Sequence, residues 1–418
     1  MTEQAIRGPL LIPKDDGRVV YFADGLLTAD ERGIIQFAGR YDGKAAASRS
    51  RGIMLPPLLD IHTHISQHPI RGKFLDGVPK DVPGGRLLAG LERNVFPAES
   101  KCSELDYAQR VVQEFRACTL SNGVVGGAAY MTVSAAATEI ALETLPASWS
   151  VGLVLMNQNC PENLRTDEAN LEGDYSRLAS RFGRRAIVTD RFAVAVSTPL
   201  RRRAAELARR LGLRTQTHLN EQTGEKEMVE GRLYPDAASY TDVYRRDGLL
   251  DHQCILAHCI HTRPDEWSIV RDTQSAIAHC PSSNYRLSSG RMSLDEVRNR
   301  QIPFALATDV GASATASMLA EMGRFVRVHA GRSAWATGSE ALFRATLTPA
   351  KILGLDQFFG RLEAGRPMSF IEVGPKRSGT FATAEEAIAS ILPDDLDNPP
   401  PSVTRVTLNG RLEFQRAE

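Results

Sequence analysis

The stretch Leu58-Leu59-Asp60-Ile61-His62-Thr63-His64 decides how this chain is organised. It reads as a short apolar β-strand that ends in a His-x-His pair. Because alternate residues of a strand point to the same side, the imidazoles of His62 and His64 aim at one point. Two converging neutral imidazoles suit a divalent metal, most often zinc. Two surface histidines in a loop would be an equally good interpretation if no further ligands followed.

Later segments supply further side chains that can bind a metal. Four short apolar runs each end in one such residue: His218, His258, His279 and Asp309. Helical patterns separate the runs, and a βα unit repeated about eight times is typical of an α/β protein with a parallel (β/α)8 barrel. Active sites of such barrels lie at the carboxyl ends of the strands. The sequence therefore predicts one metal-dependent hydrolase site at that end of a TIM-like barrel.

Short β-rich segments occupy both ends of the chain. Residues 1–54 contain strand-like runs such as Gly33–Ala38, and residues 365–418 contain a hairpin turn at Asn409-Gly410. Neither segment is long enough to form a stable sheet alone. We therefore expect them to combine into one small β-sandwich domain that flanks the barrel of residues 55–364.

The composition excludes several classes of function. Lys+Arg and Asp+Glu both number 50, so a chain of zero formal charge has no general attraction to nucleic acid or to an anionic membrane. No apolar run is long enough to span a bilayer. The six cysteines show no CxxC spacing, which is typical of reduced thiols. We expect a cytoplasmic protein with no nucleic-acid and no membrane partner.

Two segments between the strands invite a functional interpretation. Residues 65–97 are rich in Gly and Pro and precede a helix that begins near Ser103, so we interpret them as a lid or binding loop. Leu200–Leu211 carries five arginines. Its apolar residues recur at helical spacing and Gly212 follows, so we interpret the arginines as the solvated face of a barrel helix.

Glu221 is the candidate proton carrier. It lies three residues after His218, just beyond the predicted strand end. A water whose pKa a metal lowers to about 7 needs a nearby base to take its proton and return it to the leaving group. A carboxylate at a helix N-terminus is the alternative interpretation of Glu221. Asp309 can both bind the metal and accept a hydrogen bond from the water, and His258 is placed to orient that water.

Ordered blocks along the chain resemble the amidohydrolase superfamily and, more narrowly, its guanine deaminases. The strand-end metal residues resemble the superfamily as a whole. Gln67, Arg191-Phe192 and Tyr240-Thr241-Asp242-Val243-Tyr244 narrow the resemblance to guanine deaminases. The segments Asn94–Glu99 and His279–Asn284 match further blocks of that family.

This resemblance implies a catalytic reaction and a set of site residues. It implies conversion of guanine to xanthine and ammonia, with one Zn²⁺ per subunit and Fe²⁺ as the alternative metal. We also expect a homodimer and a small-molecule purine substrate. The implied roles are metal binding by His62, His64, His218 and Asp309, purine binding by Gln67, Arg191 and Phe192, proton transfer by Glu221, and a substrate-side or supporting role for His279.

The chemistry of the candidate purine-binding residues agrees with that substrate. A guanidinium such as Arg191 is a fixed donor for a ring carbonyl, and the amide of Gln67 both donates and accepts. Phe192 offers an aromatic contact, although neighbours in a strand point to opposite sides, so it is a core residue unless the strand ends there. Asp190 stands where the family usually has proline. It could pair with Arg191 and hold that side chain away from the substrate.

Two alternative functions stay open from the sequence. One is a deaminase or hydrolase of another aminated heterocycle, such as a pterin or a triazine. The other is a non-catalytic barrel that serves as a scaffold, although such a protein is expected to have lost metal ligands and none of the expected set is missing.

Overall fold

The structure, a computed structural model, describes residues 4–43, 46–82, 85–377 and 379–417. Residues 1–3, 44–45, 378 and 418 of the predicted end domain lie outside the described residues, as do residues 83–84 of the predicted lid segment. The strands of the described part are β1 (Gln4–Pro13), β2 (Val19–Ala29), β3 (Ile35–Arg40), β4 (Ser48–Arg49), β5 (Ile53–Leu55), β6 (Leu58–His64), β7 (Val124–Tyr130), β8 (Trp149–Leu155), β9 (Ala186–Asp190), β10 (Arg214–Leu219), β11 (Cys254–His258), β12 (Ala276–His279), β13 (Phe304–Leu306), β14 (Phe370–Val373), β15 (Val403–Leu408) and β16 (Arg411–Gln415).

Strands β6 to β13 form the predicted parallel barrel and follow one another in chain order. Strands such as β7 and β8 are buried along their whole length, as their continuous apolar sequences require in a parallel sheet with both faces covered. The amide of Asp309, just after β13, donates to the main-chain oxygen of His62 in β6 at 2.9 Å. This hydrogen bond joins the last strand to the first at the end where the polar residues lie.

The strands from the two ends of the chain form a separate mixed sheet. Its order is β16-β15-β14-β5-β1-β2-β3, and β4 pairs with β1. Leu10, Leu27, Met54 and Phe370 contribute to its buried apolar cluster. Each such side chain stabilises the sheet by about 1.5–3 kcal/mol relative to an exposed one. The prediction that both chain ends pair into one sheet domain is confirmed.

The helices lie between the strands. They are α1 (Arg86–Gly90), α2 (Phe96–Lys101), α3 (Leu105–Ser121), α4 (Ala135–Thr144), α5 (Leu171–Phe182), α6 (Thr198–Leu211), α7 (Thr223–Met228), α8 (Tyr240–Arg246), α9 (Pro264–Asp272), α10 (Pro281–Arg286), α11 (Leu294–Asn299), α12 (Met318–His329), α13 (Gly338–Ala345), α14 (Leu347–Leu353) and α15 (Ala384–Ile391), with π-helical turns at Leu91–Val95 and Val229–Leu233. None of the helices in the described ranges is both long and apolar enough to cross a bilayer.

Three local expectations from the sequence were wrong. The predicted lid segment is not a continuous loop, because α1, the π-helical turn and α2 make residues 86–101 helical. Arg191 and Phe192 are not neighbours in a strand, since β9 ends at Asp190 and the chain turns after it. Helix α6 ends at Leu211, just before Gly212, as predicted. Its arginines are not all solvated, because the Arg201 side chain is fully buried.

The chain divides into two compact units. One comprises residues 1–60, 117–125 and 316–418, and the other comprises residues 61–116 and 126–315. The second unit carries every polar strand-end residue discussed below. The domain boundaries at 54/55 and 364/365 stay a prediction.

Candidate active site

Four side chains at the carboxyl ends of the barrel strands converge on one point. Each of His62, His64, His218 and Asp309 offers one ligand atom, and these atoms all lie within 4.8 Å of one another. Asp309 Oδ1 lies 3.3 Å from His62 Nε2 and 3.0 Å from His64 Nε2. Three imidazoles and one carboxylate are a donor set that fits a zinc ion or a similar divalent metal.

Burial prepares these groups for metal binding. It lowers the pKa of His62 to about 4 and shifts the pKa of His64 and of His218 downwards as well, so the imidazoles are neutral at pH 7. Burial alone would raise the pKa of Asp309, but the imidazoles of His62 and His64 beside its carboxylate outweigh that effect and hold the pKa well below its usual range. Neutral imidazoles and an ionised carboxylate are the protonation states that ligate metals.

The main chain orients His218. Its Nδ1 lies 2.6 Å from the main-chain oxygen of Arg191, so Nδ1–H donates there and the Nε2 lone pair faces the other ligands. A hydrogen bond of this kind fixes both the tautomer and the ring orientation of a metal-binding histidine.

The backbone at the strand ends adopts conformations that non-glycine residues rarely use. The φ angles are +53° at Asn220, +72° at His258 and +51° at Asp309. Left-handed non-glycine residues cost about 1–3 kcal/mol each and persist where the surrounding structure holds them, often at functional sites. In this protein these left-handed residues, His258 and Asp309 among them, lie at or just after the ends of barrel strands.

Glu221 and His258 face each other beside the candidate metal ligands. His258 Nε2 lies 3.6 Å from Glu221 Oε2 and 3.9 Å from Asp309 Oδ2. The opposite ring nitrogen, Nδ1, lies 2.9 Å from Oδ1 of Asn284, which holds the imidazole in this orientation. Burial raises the pKa of Glu221, and the negative charge of Asp309 raises it further, while a hydrogen bond from Ser289 opposes the shift. Glu221 can therefore hold a proton near neutral pH.

One cavity is lined by three of the four candidate metal ligands and by the predicted purine-binding residues. It is lined by His64, Gln67, Phe74, Leu87, Leu91, Arg191, Phe192, His218, Glu221, Glu225, His258, Leu287 and Asp309. Strand β9 ends before Arg191, so Arg191 and Phe192 both line the cavity although they are neighbours in sequence. His279 ends β12 and is buried, but it does not line this cavity. The roles assigned to these residues stay predictions.

Glu99 is the residue that the sequence analysis overlooked. Its Oε1 accepts hydrogen bonds from Gln67 Nε2 at 3.0 Å and from Arg191 Nη1 at 2.5 Å. The carboxylate is fully buried. The only sequence signal for this glutamate is that the segment Asn94–Glu99 resembles a block of the guanine deaminase family.

The hypothesis that Asp190 holds Arg191 away from the cavity was wrong. Asp190 Oδ2 accepts from Arg201 Nε at 2.9 Å, and Oδ1 accepts from the hydroxyl of Thr217 at 3.1 Å. Arg201 also donates to Asp247 at 2.8 Å. Because Asp190 is the last residue of β9, its side chain points to this buried network rather than towards Arg191.

Comparison with known proteins places the chain among metal-dependent hydrolases. The model of the Amidohydrolase family matches residues 53–412. Guanine deaminase of Escherichia coli K12 is 28% identical over 95% of this chain and 92% of its own length. Guanine deaminase of Pongo abelii is 31% identical over 78% of this chain and 73% of its own length. The solved E. coli guanine deaminase has a TM-score of 0.85 and 25% identity, and the alignment covers 100% of both chains.

Proposed function

This chain belongs to the amidohydrolase family and, within it, to the guanine deaminases, and on that premise we propose that it is a zinc-dependent hydrolase that converts guanine and water to xanthine and ammonia. One observation carries the proposal. A single cavity is lined by metal ligands, by the proton carrier Glu221, and by Gln67, Arg191 and Phe192, whose polar and aromatic groups suit a purine.

The residues that line the cavity have different roles in the proposed reaction. When bound, a divalent metal at His62, His64, His218 and Asp309 supplies a water that is nucleophilic near pH 7. Glu221 takes a proton from that water and delivers it to a ring nitrogen of the base. It then takes the remaining proton from the hydroxyl group added to the ring carbon and gives it to the departing amine, so that ammonia leaves and the carbonyl of xanthine forms. The raised pKa of Glu221 suits both steps, because the carboxyl group exchanges its proton near neutral pH. His258 and Asp309 orient the water beside Glu221.

The zero net charge of the Arg191–Glu99 pair beside the purine-binding residues supports an uncharged substrate. The Arg191 guanidinium is already paired with the buried carboxylate of Glu99 at 2.5 Å. A pair of this kind presents hydrogen-bond donors without a net positive charge, so it suits a ring carbonyl better than a carboxylate or a phosphate. Phe192 adds an aromatic surface against which a planar base can pack.

Ammonia release from a panel of heterocycles tests the proposal. Zinc-loaded protein is incubated with guanine, adenine, a pterin and an amino-triazine, and metal analysis of the purified protein identifies the ion, with Fe²⁺ as the alternative. We expect turnover of guanine and none of adenine, which has an amine where guanine has its carbonyl and no amine on the carbon that is attacked. Turnover of the pterin or the triazine without guanine would assign the protein to a different substrate.

A further inference from the structure

Glu99 lies behind the purine-binding side chains rather than in the cavity. It belongs to α2, and its neighbour one turn earlier, Phe96, packs its ring 5.5 Å from the guanidinium carbon of Arg191. Residues three apart lie on the same face of a helix, so α2 presents an aromatic ring and a carboxylate to the same arginine. Glu99 and Arg191 are both buried, and both belong to the compact unit of residues 61–116 and 126–315.

The carboxylate decides which way the Gln67 amide points. A carboxylate without a proton only accepts hydrogen bonds, so the amide must turn its Nε2–H, and not its Oε1, towards Glu99. The same oxygen of Glu99 also accepts from Arg191. The amide oxygen of Gln67 therefore points away from Glu99 and can accept a hydrogen bond from another group.

Gly311 makes room for that orientation. A Cβ atom at residue 311 would lie only 2.1 Å from Gln67 Oε1, and the φ angle of Gly311 is +125°, which disfavours any side chain. The amide oxygen of Gln67 therefore lies against the turn that follows the metal ligand Asp309. The carboxylate of Glu99 fixes the polarity of the Gln67 amide, and the absence of a side chain at residue 311 leaves space for the amide oxygen.

We propose that Glu99 is a positioning residue that makes the cavity select a cyclic lactam edge, in which a ring carbonyl stands next to a ring N–H. This inference rests on the proposed function and deepens it. Arg191 donates to the carbonyl, and Gln67 Oε1 accepts from the ring N–H. In a reversed edge, an exocyclic amine stands next to a ring nitrogen that carries no hydrogen. The amine then faces the N–H donors of Arg191, and the ring nitrogen, an acceptor, faces the amide oxygen of Gln67, so neither contact can form a hydrogen bond.

Guanine and 2,6-diaminopurine separate these edges. Both bases carry an amine on the ring carbon that the proposed reaction attacks, so both are chemically able to react. Guanine presents the lactam edge and 2,6-diaminopurine presents the reversed edge. We expect the unmodified protein to prefer guanine in kcat/KM by roughly 10⁴-fold, because a mismatched edge leaves buried polar groups unpaired.

Two substitutions at residue 99 distinguish a positioning oxygen from a general structural role. Glu99→Met removes the carboxylate that accepts from Gln67 Nε2, so the Gln67 amide is free to rotate and exchange its oxygen and nitrogen. The preference for guanine in kcat/KM should then fall by at least about tenfold. Glu99→Gln keeps an oxygen that can accept from both Gln67 and Arg191, so the preference should stay within about threefold. Glu114→Gln, an exposed change of the same kind in α3, is the control and should leave kcat/KM unchanged.

The zinc content and the melting temperature of each variant show whether it is folded. If Glu99→Met does not fold, Gln67→Met takes its place, since it removes the oriented amide but keeps the pair between Glu99 and Arg191, and its preference should also fall by at least about tenfold. An unchanged preference in folded Glu99→Met or in Gln67→Met would overturn the proposal, as would an equal collapse in Glu99→Met and Glu99→Gln. Unmodified protein that ignores guanine would instead overturn the proposed function, and this inference with it.

Discussion

The Nδ1 atom of His218 lies 2.6 Å from the main-chain oxygen of Arg191, so the proposed purine-binding residue also orients a proposed metal ligand. The two tasks fall to different parts of Arg191. Its side chain is the proposed donor to the base, whereas its carbonyl group holds the imidazole of His218 in one tautomer. A change of the side chain should therefore affect the substrate without disturbing the metal.

Arg191→Met tests this separation. It removes the donor for the base carbonyl but keeps the main-chain oxygen, so kcat/KM for guanine should fall by about 2–4 kcal/mol in transition-state free energy while the zinc content is unchanged. Steady-state kinetics and metal analysis of the same preparation measure both quantities. Loss of zinc would contradict the division of roles, and unchanged kcat/KM would remove Arg191 from substrate binding.

Glu221→Gln tests the proton carrier. The variant keeps the shape of the side chain but cannot transfer protons, so turnover should fall by roughly 10²–10⁴-fold while zinc stays bound. The measurement is kcat for guanine together with the zinc content. Turnover close to that of the unmodified protein would mean that another group moves the proton, and a loss of zinc would make Glu221 a metal ligand.

His62→Ala and Asp309→Ala test the ligand set. Each removes one of four converging ligands, so both variants should lose the metal and, with it, activity. His252→Ala is the matched control, because His252 is exposed and lies outside this group. Equal zinc content in all three variants would show that the metal is held elsewhere.

Arg201→Met tests the buried network behind the site. Arg201 pairs with Asp190 at 2.9 Å and with Asp247 at 2.8 Å, and all three side chains are buried. Removing the cation leaves the buried carboxylate of Asp190 without a cationic partner, although Asp247 keeps its pair with Arg202 at 2.8 Å. The free energy of unfolding should therefore fall by about 3–5 kcal/mol.

The control for Arg201→Met is in the same helix. Arg210 pairs with Glu172 at 2.5 Å, but both side chains are about half exposed, and such pairs contribute less than about 1 kcal/mol. Urea unfolding of Arg201→Met and Arg210→Met should therefore give clearly different losses. Equal losses would show that the buried network does not stabilise the barrel.

The convergence of the four candidate metal ligands was predictable because they follow a pattern that is local in sequence. Each ligand ends or follows a short apolar run, and the barrel brings the ends of parallel strands together. His62, His64, His218 and Asp309 could therefore be grouped before their distances were known, and the structure brings their ligand atoms within 4.8 Å.

The polar partners of the site were not predictable in the same way. Glu99 and Arg191 are 92 residues apart, and Arg201 and Asp247 are 46 residues apart, so no local pattern joins them. Helical spacing correctly identified α6 but could not show that Arg201 turns towards Asp190 instead of water. The direction of Asp190 depends on where β9 ends, and strand ends are the least certain part of a sequence-based prediction.

The most direct test of metal-dependent guanine deamination is the formation of xanthine from guanine by zinc-loaded protein, measured before and after removal of the metal. We predict one xanthine and one ammonia for each guanine consumed, loss of both products after chelation, and their return when zinc is added back. Full activity in metal-free protein, or turnover of a pterin or a triazine while guanine is left unchanged, would contradict this account.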